Sequence, residues 1–169
     1  MNSRKKCNDR FIITRVIIPF SAWTIIFQMI PAIMERLFSP DQWFFTLENS
    51  PASPPRFLFN IVWPFLYFSL STYGWYISYE LKKSNPYRVL FALFFIQMIL
   101  NWAYTPVLFG LKSTVGAFIC GLIPAIITGY LIAFPFYYSK NWALSILLIP
   151  YFIWCSYASY LSGYIIANN

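Results

Sequence analysis

The stretch Pro54-Pro55-Arg56-Phe57-Leu58-Phe59-Asn60-Ile61-Val62-Trp63-Pro64-Phe65-Leu66-Tyr67 decides how this chain is read. A double proline leads straight into a long aromatic and apolar run. Proline fixes φ and lacks an N–H, so it suits a helix start, where the first amides have no partner in any case. Trp63 and Tyr67 stand four residues apart and therefore project from one face of the helix that follows. An indole N–H, a phenol O–H and two large rings on one face suit a binding site for a flat apolar molecule. The plainer reading is a tight helix start followed by a lipid-facing aromatic belt.

Composition places that helix in a membrane. The chain has 169 residues, is 59% hydrophobic and 22% aromatic, and carries only 10% charged residues. A soluble domain has about 25% charged residues. Mean hydropathy is +0.58, so the sequence predicts an all-α integral membrane protein, with lipid as its first partner. The length suits one compact bundle, taken as a single domain over 1–169. The net charge of +7 does not indicate nucleic acid, because the cations cluster at the ends of apolar runs, as topology signals do. Cys7, Cys120 and Cys155 are far apart, and histidine is absent. Neither a disulfide framework nor a metal site is implied, and the commonest general base is missing.

Working outward, five apolar spans are predicted at 11–34, 57–79, 89–111, 115–138 and 142–166, each near the 20 or so residues that a crossing needs. The first is too long, and lacks the small-residue cleavage site, for a cleaved signal peptide, so it is read as retained. The connection 35–56 far exceeds the usual link of about 2–8 residues between bundled helices. Its Trp43, Phe44 and Phe45 predict a lid, since a solvated linker rarely carries three adjacent aromatics.

The third span carries Gln97, Asn101 and Thr105 at spacing four. Intramembrane polar side chains face the bundle interior and need partners, so this row serves helix–helix hydrogen bonding or anchors a ligand. The fourth carries Gly121, Ala125, Gly129 and Ala133, a small-residue stripe that lets another helix approach, inside the bundle or across a homodimer. In the fifth, Tyr151 and Trp154 share a face. Five spans put the termini on opposite sides. One side holds Arg4, Lys5, Lys6, Arg10, Arg15, Lys82, Lys83, Arg88 and Lys140, the other only Arg36, Arg56 and Lys112. The positive-inside rule then predicts a cytoplasmic N-terminus and an external C-terminus.

Three stretches together resemble the TspO/MBR family, the tryptophan-rich sensory and translocator proteins. They are Trp43-Phe44-x-x-Leu47 with Pro54-Pro55, Phe59 and Val62-Trp63-x-x-Leu66-Tyr67; Gln97-x-x-Leu100-Asn101 with Tyr104-Thr105-Pro106 and Phe109-Gly110; and Leu147-Leu148-Ile149-Pro150-Tyr151-Phe152-x-Trp154 with Ala158-Ser159-Tyr160-Leu161. The resemblance implies a five-helix bundle, often dimeric, whose pocket is closed by the first connection and takes porphyrins, sterols or benzodiazepine-type ligands. It implies a ligand site at Trp63, Tyr67, Asn101 and Trp154 with lid aromatics Trp43 and Phe44, to which helical spacing adds Tyr151. The chain departs from the pattern at Asn49-Ser50, where Lys-Pro is common. It departs again at Tyr104, where a Trp is usual, and at Ser162, where an Asn is usual. No Lys or Arg follows Lys140, so the C-terminal cholesterol pattern of animal members is missing.

The function expected is binding of a porphyrin, tetrapyrrole or other flat hydrophobic ligand for sensing, regulation or transport. No resident cofactor and no enzyme activity are expected. The alternatives are light-dependent porphyrin breakdown, which the resemblance associates with the tryptophans at 63 and 154, and a structural membrane subunit.

Overall fold

The computed structural model describes residues 17–80, 86–139 and 142–169. Among them are six α-helices and no β-strand. Helix α1 is Ile18–Leu37, α2 is the short Gln42–Thr46, α3 is Arg56–Glu80, α4 is Pro86–Thr105, α5 is Thr114–Phe134 and α6 is Trp142–Asn168. The part of the first predicted span before residue 17, and most of the cations behind the topology rule, lie outside the described residues.

Local chemistry explains the boundaries. Pro19 sits in the first turn of α1, where its missing N–H costs nothing. The helix continues past the predicted end at Met34 to Leu37, and the Phe38 amide closes it on the Met34 carbonyl at 2.9 Å. The connection therefore begins with Phe38, and it holds a helical turn of its own. Asp41 caps that turn, its carboxylate accepting from the Phe44 amide. Pro106 ends the regular part of α4, and a wider π-helical turn continues it over Pro106–Gly110. Lys112 adopts φ 52, a left-handed conformation that reverses the chain. Ser113 then caps α5 by accepting from the Gly116 amide at 3.1 Å. Pro135 likewise converts the end of α5 to a π-helical turn over Pro135–Ser139. A proline withdraws the N–H that the carbonyl four residues earlier would have used. For Pro135 that carbonyl belongs to Leu131, and the buried Tyr73 hydroxyl donates to it at 3.2 Å.

Among the described residues, four helical segments are long and apolar enough to cross a membrane: Ile18–Leu37, Tyr87–Gly110, Thr114–Tyr137 and Trp142–Asn168. The expectation of five such spans falls short at α3. That helix has 25 residues, but Asn60, Ser69, Ser71, Thr72 and Ser78 dilute its apolar character. Its central face is instead spent on the interior, with Leu66, Tyr67, Leu70, Tyr73 and Ile77 all buried.

Helix α5 packs along α6 and α4, while α1 lies chiefly on α3. The core between them is aromatic: Phe27 stacks on Phe94 at 5.8 Å, and Trp102 meets Phe27 edge-on at 5.5 Å. Outward-facing residues are equally apolar, with Ile25, Ile26, Met29, Phe65, Ile99, Ile126 and Ile153 exposed. A surface of this kind is unstable against water and at home against lipid.

The small-residue stripe of α5 meets α6 of the same chain. A methyl group on Gly121 would lie 2.9 Å from the Ser159 Oγ and 3.5 Å from the Ser159 amide nitrogen, and one on Gly129 would lie 3.5 Å from the Phe152 ring. Ala125 is buried in the same contact zone, whereas Ala133 is only half-buried.

Candidate functional site

A cavity of about 720 Å³ lies beneath the connection between α1 and α3. Its aromatic wall comes from one face of α3, just after Pro54-Pro55, and from Trp154 of α6. Trp63 stacks on Tyr67 with ring centroids 5.1 Å apart, and Trp154 meets Trp63 edge-on at 6.2 Å. Phe59, one turn before Trp63, meets Trp154 edge-on at 5.4 Å. The helical repeat of 3.6 residues places Phe59, Trp63 and Tyr67 on one face of α3.

One polar group of the cavity is a buried hydrogen-bonded pair. The Tyr67 hydroxyl donates to Asn101 Oδ1 at 2.9 Å, and both residues are buried. Away from water this bond satisfies two groups that would otherwise be costly. Tyr151 lies behind them, fully buried, its hydroxyl near Asn101 and Cys155 without completing a hydrogen bond to either. The Trp154 Nε1 is buried and also lacks an acceptor.

The structure sorts the site residues predicted from sequence. Phe44, Trp63, Tyr67, Asn101 and Trp154 all line the cavity. Tyr151 and Trp43 do not: Tyr151 supports the Tyr67–Asn101 pair from behind, and Trp43 turns away. Successive residues of a helix differ by about 100° in direction, so the one-turn α2 cannot aim three adjacent rings at one space. Phe44 and Phe45 face the cavity, while Trp43 packs beneath the Lys112 ammonium at 5.8 Å. Of the polar row, Asn101 and Thr105 line the cavity and Gln97 does not. Sequence reasoning missed Gln28, Glu35, Arg56, Cys120 and Cys155 in the lining. Spacing from Trp63 could have found Asn60 and Arg56, which fall on nearly the same face of α3.

The connection over the cavity is fastened at both ends. On one side the Lys112 Nζ lies 2.7 Å from the Asp41 carboxylate, and Phe44 meets Phe109 edge-on at 5.1 Å. Lys112 holds the Asp41 carboxyl below its ordinary pKa, mainly by hydrogen bonding to the ionised form. On the other side α6 supplies the contacts. The Tyr157 hydroxyl donates to the Ala52 carbonyl, and Ser50 Oγ donates to the Tyr160 hydroxyl at 3.4 Å. Asn169 pairs with both backbone groups of Glu48, accepting from its amide at 2.8 Å and donating to its carbonyl at 3.3 Å.

Comparison with known proteins agrees with this architecture. The TspO/MBR family model matches residues 20–167. The chain is 29% identical to the tryptophan-rich sensory protein of Cereibacter sphaeroides over 132 residues, 78% of this chain and 80% of that one. It is 30% identical to the tryptophan-rich protein TspO of Chlorobaculum tepidum over 140 residues, covering 77% and 82% of the two chains. Similarity extends to the translocator protein of Bos taurus, 27% identical over 124 residues and covering 72% and 71%. With four apolar helices of membrane-crossing length and a family match over nearly its whole length, this chain is an integral multi-pass membrane protein and belongs to the TspO/MBR family.

Proposed function

We propose that α3 completes a five-helix transmembrane bundle whose cavity binds a flat hydrophobic ligand of the porphyrin or tetrapyrrole type, for sensing, regulation or transport. One observation carries this reading: Trp63, Phe59 and Trp154 form an aromatic wall on a cavity of about 720 Å³, with the Tyr67–Asn101 pair as its polar base. That volume falls in the range of small-molecule sites, roughly 300–1,000 Å³, and so does the mixture of apolar wall and few polar groups. Relatives that bear sensory and translocator names favour binding over catalysis. The cation distribution supports a cytoplasmic N-terminus and an external C-terminus. The small-residue stripe is taken up by α6 of the same chain, so a homodimer would use another face.

Titration of tryptophan fluorescence with protoporphyrin tests the reading. Offset stacking contributes about 0.5–1.5 kcal/mol beyond area burial, so Trp63→Ala and Trp154→Ala should each weaken binding several-fold. Trp75→Ala serves as the control, because Trp75 packs on Phe20 and Tyr79 and lies outside the cavity lining. Equal affinity in all three variants would remove the ligand from this cavity. Illuminating the complex, with the free porphyrin as reference, separates binding from photochemical breakdown.

A further inference from the structure

Resting on the ligand-site reading, we infer that the ligand bears a carboxylate and that Arg56 receives it at the lid end of the cavity. Arg56 is the sole cation among the described residues that line the cavity. No carboxylate lies within 4 Å of it among the described residues, whereas Lys112, another cation near the lid, is paired with Asp41 at 2.7 Å. The Arg56 guanidinium lies over the Phe45 ring, 4.5 Å from its centroid. A ring face takes up the flat side of a guanidinium and leaves its edge donors free, in the fork that matches a carboxylate. Asn60 stands one turn further along the same helix and Ser53 just before it, and both line the cavity.

The lining thus combines hydrogen-bonded pairs already satisfied, Tyr67–Asn101 and Tyr104–Ser162, an aromatic middle, and a mouth where the exposed Arg56 guanidinium stands with an amide and a hydroxyl. A neutral planar molecule would leave that mouth unused. An amphipathic acid would fill the middle with its flat body and place its charge at Arg56. Glu35 of α1 lines the same cavity and supplies a test of sign, since its carboxylate repels a ligand anion.

The experiment compares protoporphyrin IX, which carries two carboxylates, with its dimethyl ester, which has the same macrocycle and none. Both are titrated by fluorescence quenching into protein held in nanodiscs of zwitterionic lipid. The wild type should bind the acid about tenfold more tightly than the ester, the scale of a hydrogen bond to a charged group. Arg56→Gln should abolish that preference, bringing the acid to the affinity of the ester, and Arg56→Lys should keep part of it. Glu35→Gln should tighten the acid alone. Arg36→Gln, which alters an exposed cation outside the lining, should change neither. Equal affinity of acid and ester in the wild type would overturn the inference while leaving the site reading intact. So would an Arg36→Gln effect as large as that of Arg56→Gln, which would point to surface charge or lipid headgroups. Failure of both macrocycles to bind would remove the site reading and this inference with it.

Discussion

The hydroxyl of Tyr104 on α4 lies 2.8 Å from Ser162 Oγ on α6. These are two of the positions at which the sequence departs from the family pattern, and here they are each other's hydrogen-bond partner. Both residues line the cavity. A phenol and a serine hydroxyl thus stand as a matched pair where the family pattern has an indole and a carboxamide.

A double-mutant cycle should register that pairing. Tyr104→Phe and Ser162→Ala should each lower stability, and the double variant should lose less than the sum. The coupling expected is about 0.5–1.5 kcal/mol, the net value of a neutral hydrogen bond. Strict additivity in thermal unfolding would show that the two hydroxyls do not depend on one another.

The Asp41–Lys112 pair should make the lid acid-sensitive. Lys112 lowers the Asp41 pKa in the folded protein, while unfolding returns it to about 3.9. The pair's contribution is then complete above that unfolded value and is lost as pH falls through the lower, folded one. Trp43 reports on it, because Lys112 sits over its ring. Its emission should hold steady at neutral pH and change below about pH 4. Lys112→Met should abolish the step, and added salt should shrink it, since both partners are about half exposed. A step that survives in Lys112→Met would trace to another group.

Gly121 and Gly129 should respond differently to the same substitution. A Cβ at Gly121 would crowd Ser159 Oγ, which already donates to the Cys155 carbonyl at 2.8 Å. Gly121→Ala should cost about 1–3 kcal/mol as overpacking. At Gly129 the nearest atom would be at ordinary contact distance. Alanine there should be neutral or stabilise by up to about 1 kcal/mol, through helix propensity. Thermal midpoints of the two variants decide the matter; the reverse order would mean that α5 meets α6 in another register.

Gln97 is fully buried, and neither end of its carboxamide has a partner. Such a group costs about 1–3 kcal/mol. Gln97→Met, close in volume and apolar, should raise the thermal midpoint. A fall would show that the carboxamide is bonded in solution, to a buried water for instance.

Helix identity was legible because apolar runs and prolines act locally. The pocket face of α3 was legible for the same reason: Trp63 and Tyr67 need only helical spacing to share a direction. What could not be read depends on partners distant in sequence. Asn101 finds Tyr67 across 34 positions, and nothing in either segment names the other. The lid aromatics look alike as letters, yet one turn of helix sends Phe44 inward and Trp43 toward Lys112. The weaker apolar character of α3 was legible in its letters: it comes from Asn60, Ser69, Ser71, Thr72 and Ser78, of which only Ser71 is buried.

The clasp between Asn169 and Glu48 has a practical consequence. Topology is mapped with reporter fusions, and a fusion joined at residue 169 would sit on this clasp. A bulky domain attached there would pull on the side chain that closes the cover at Glu48. A tagged protein could then report its orientation correctly and its affinity wrongly. Affinities are better compared after the tag has been cleaved.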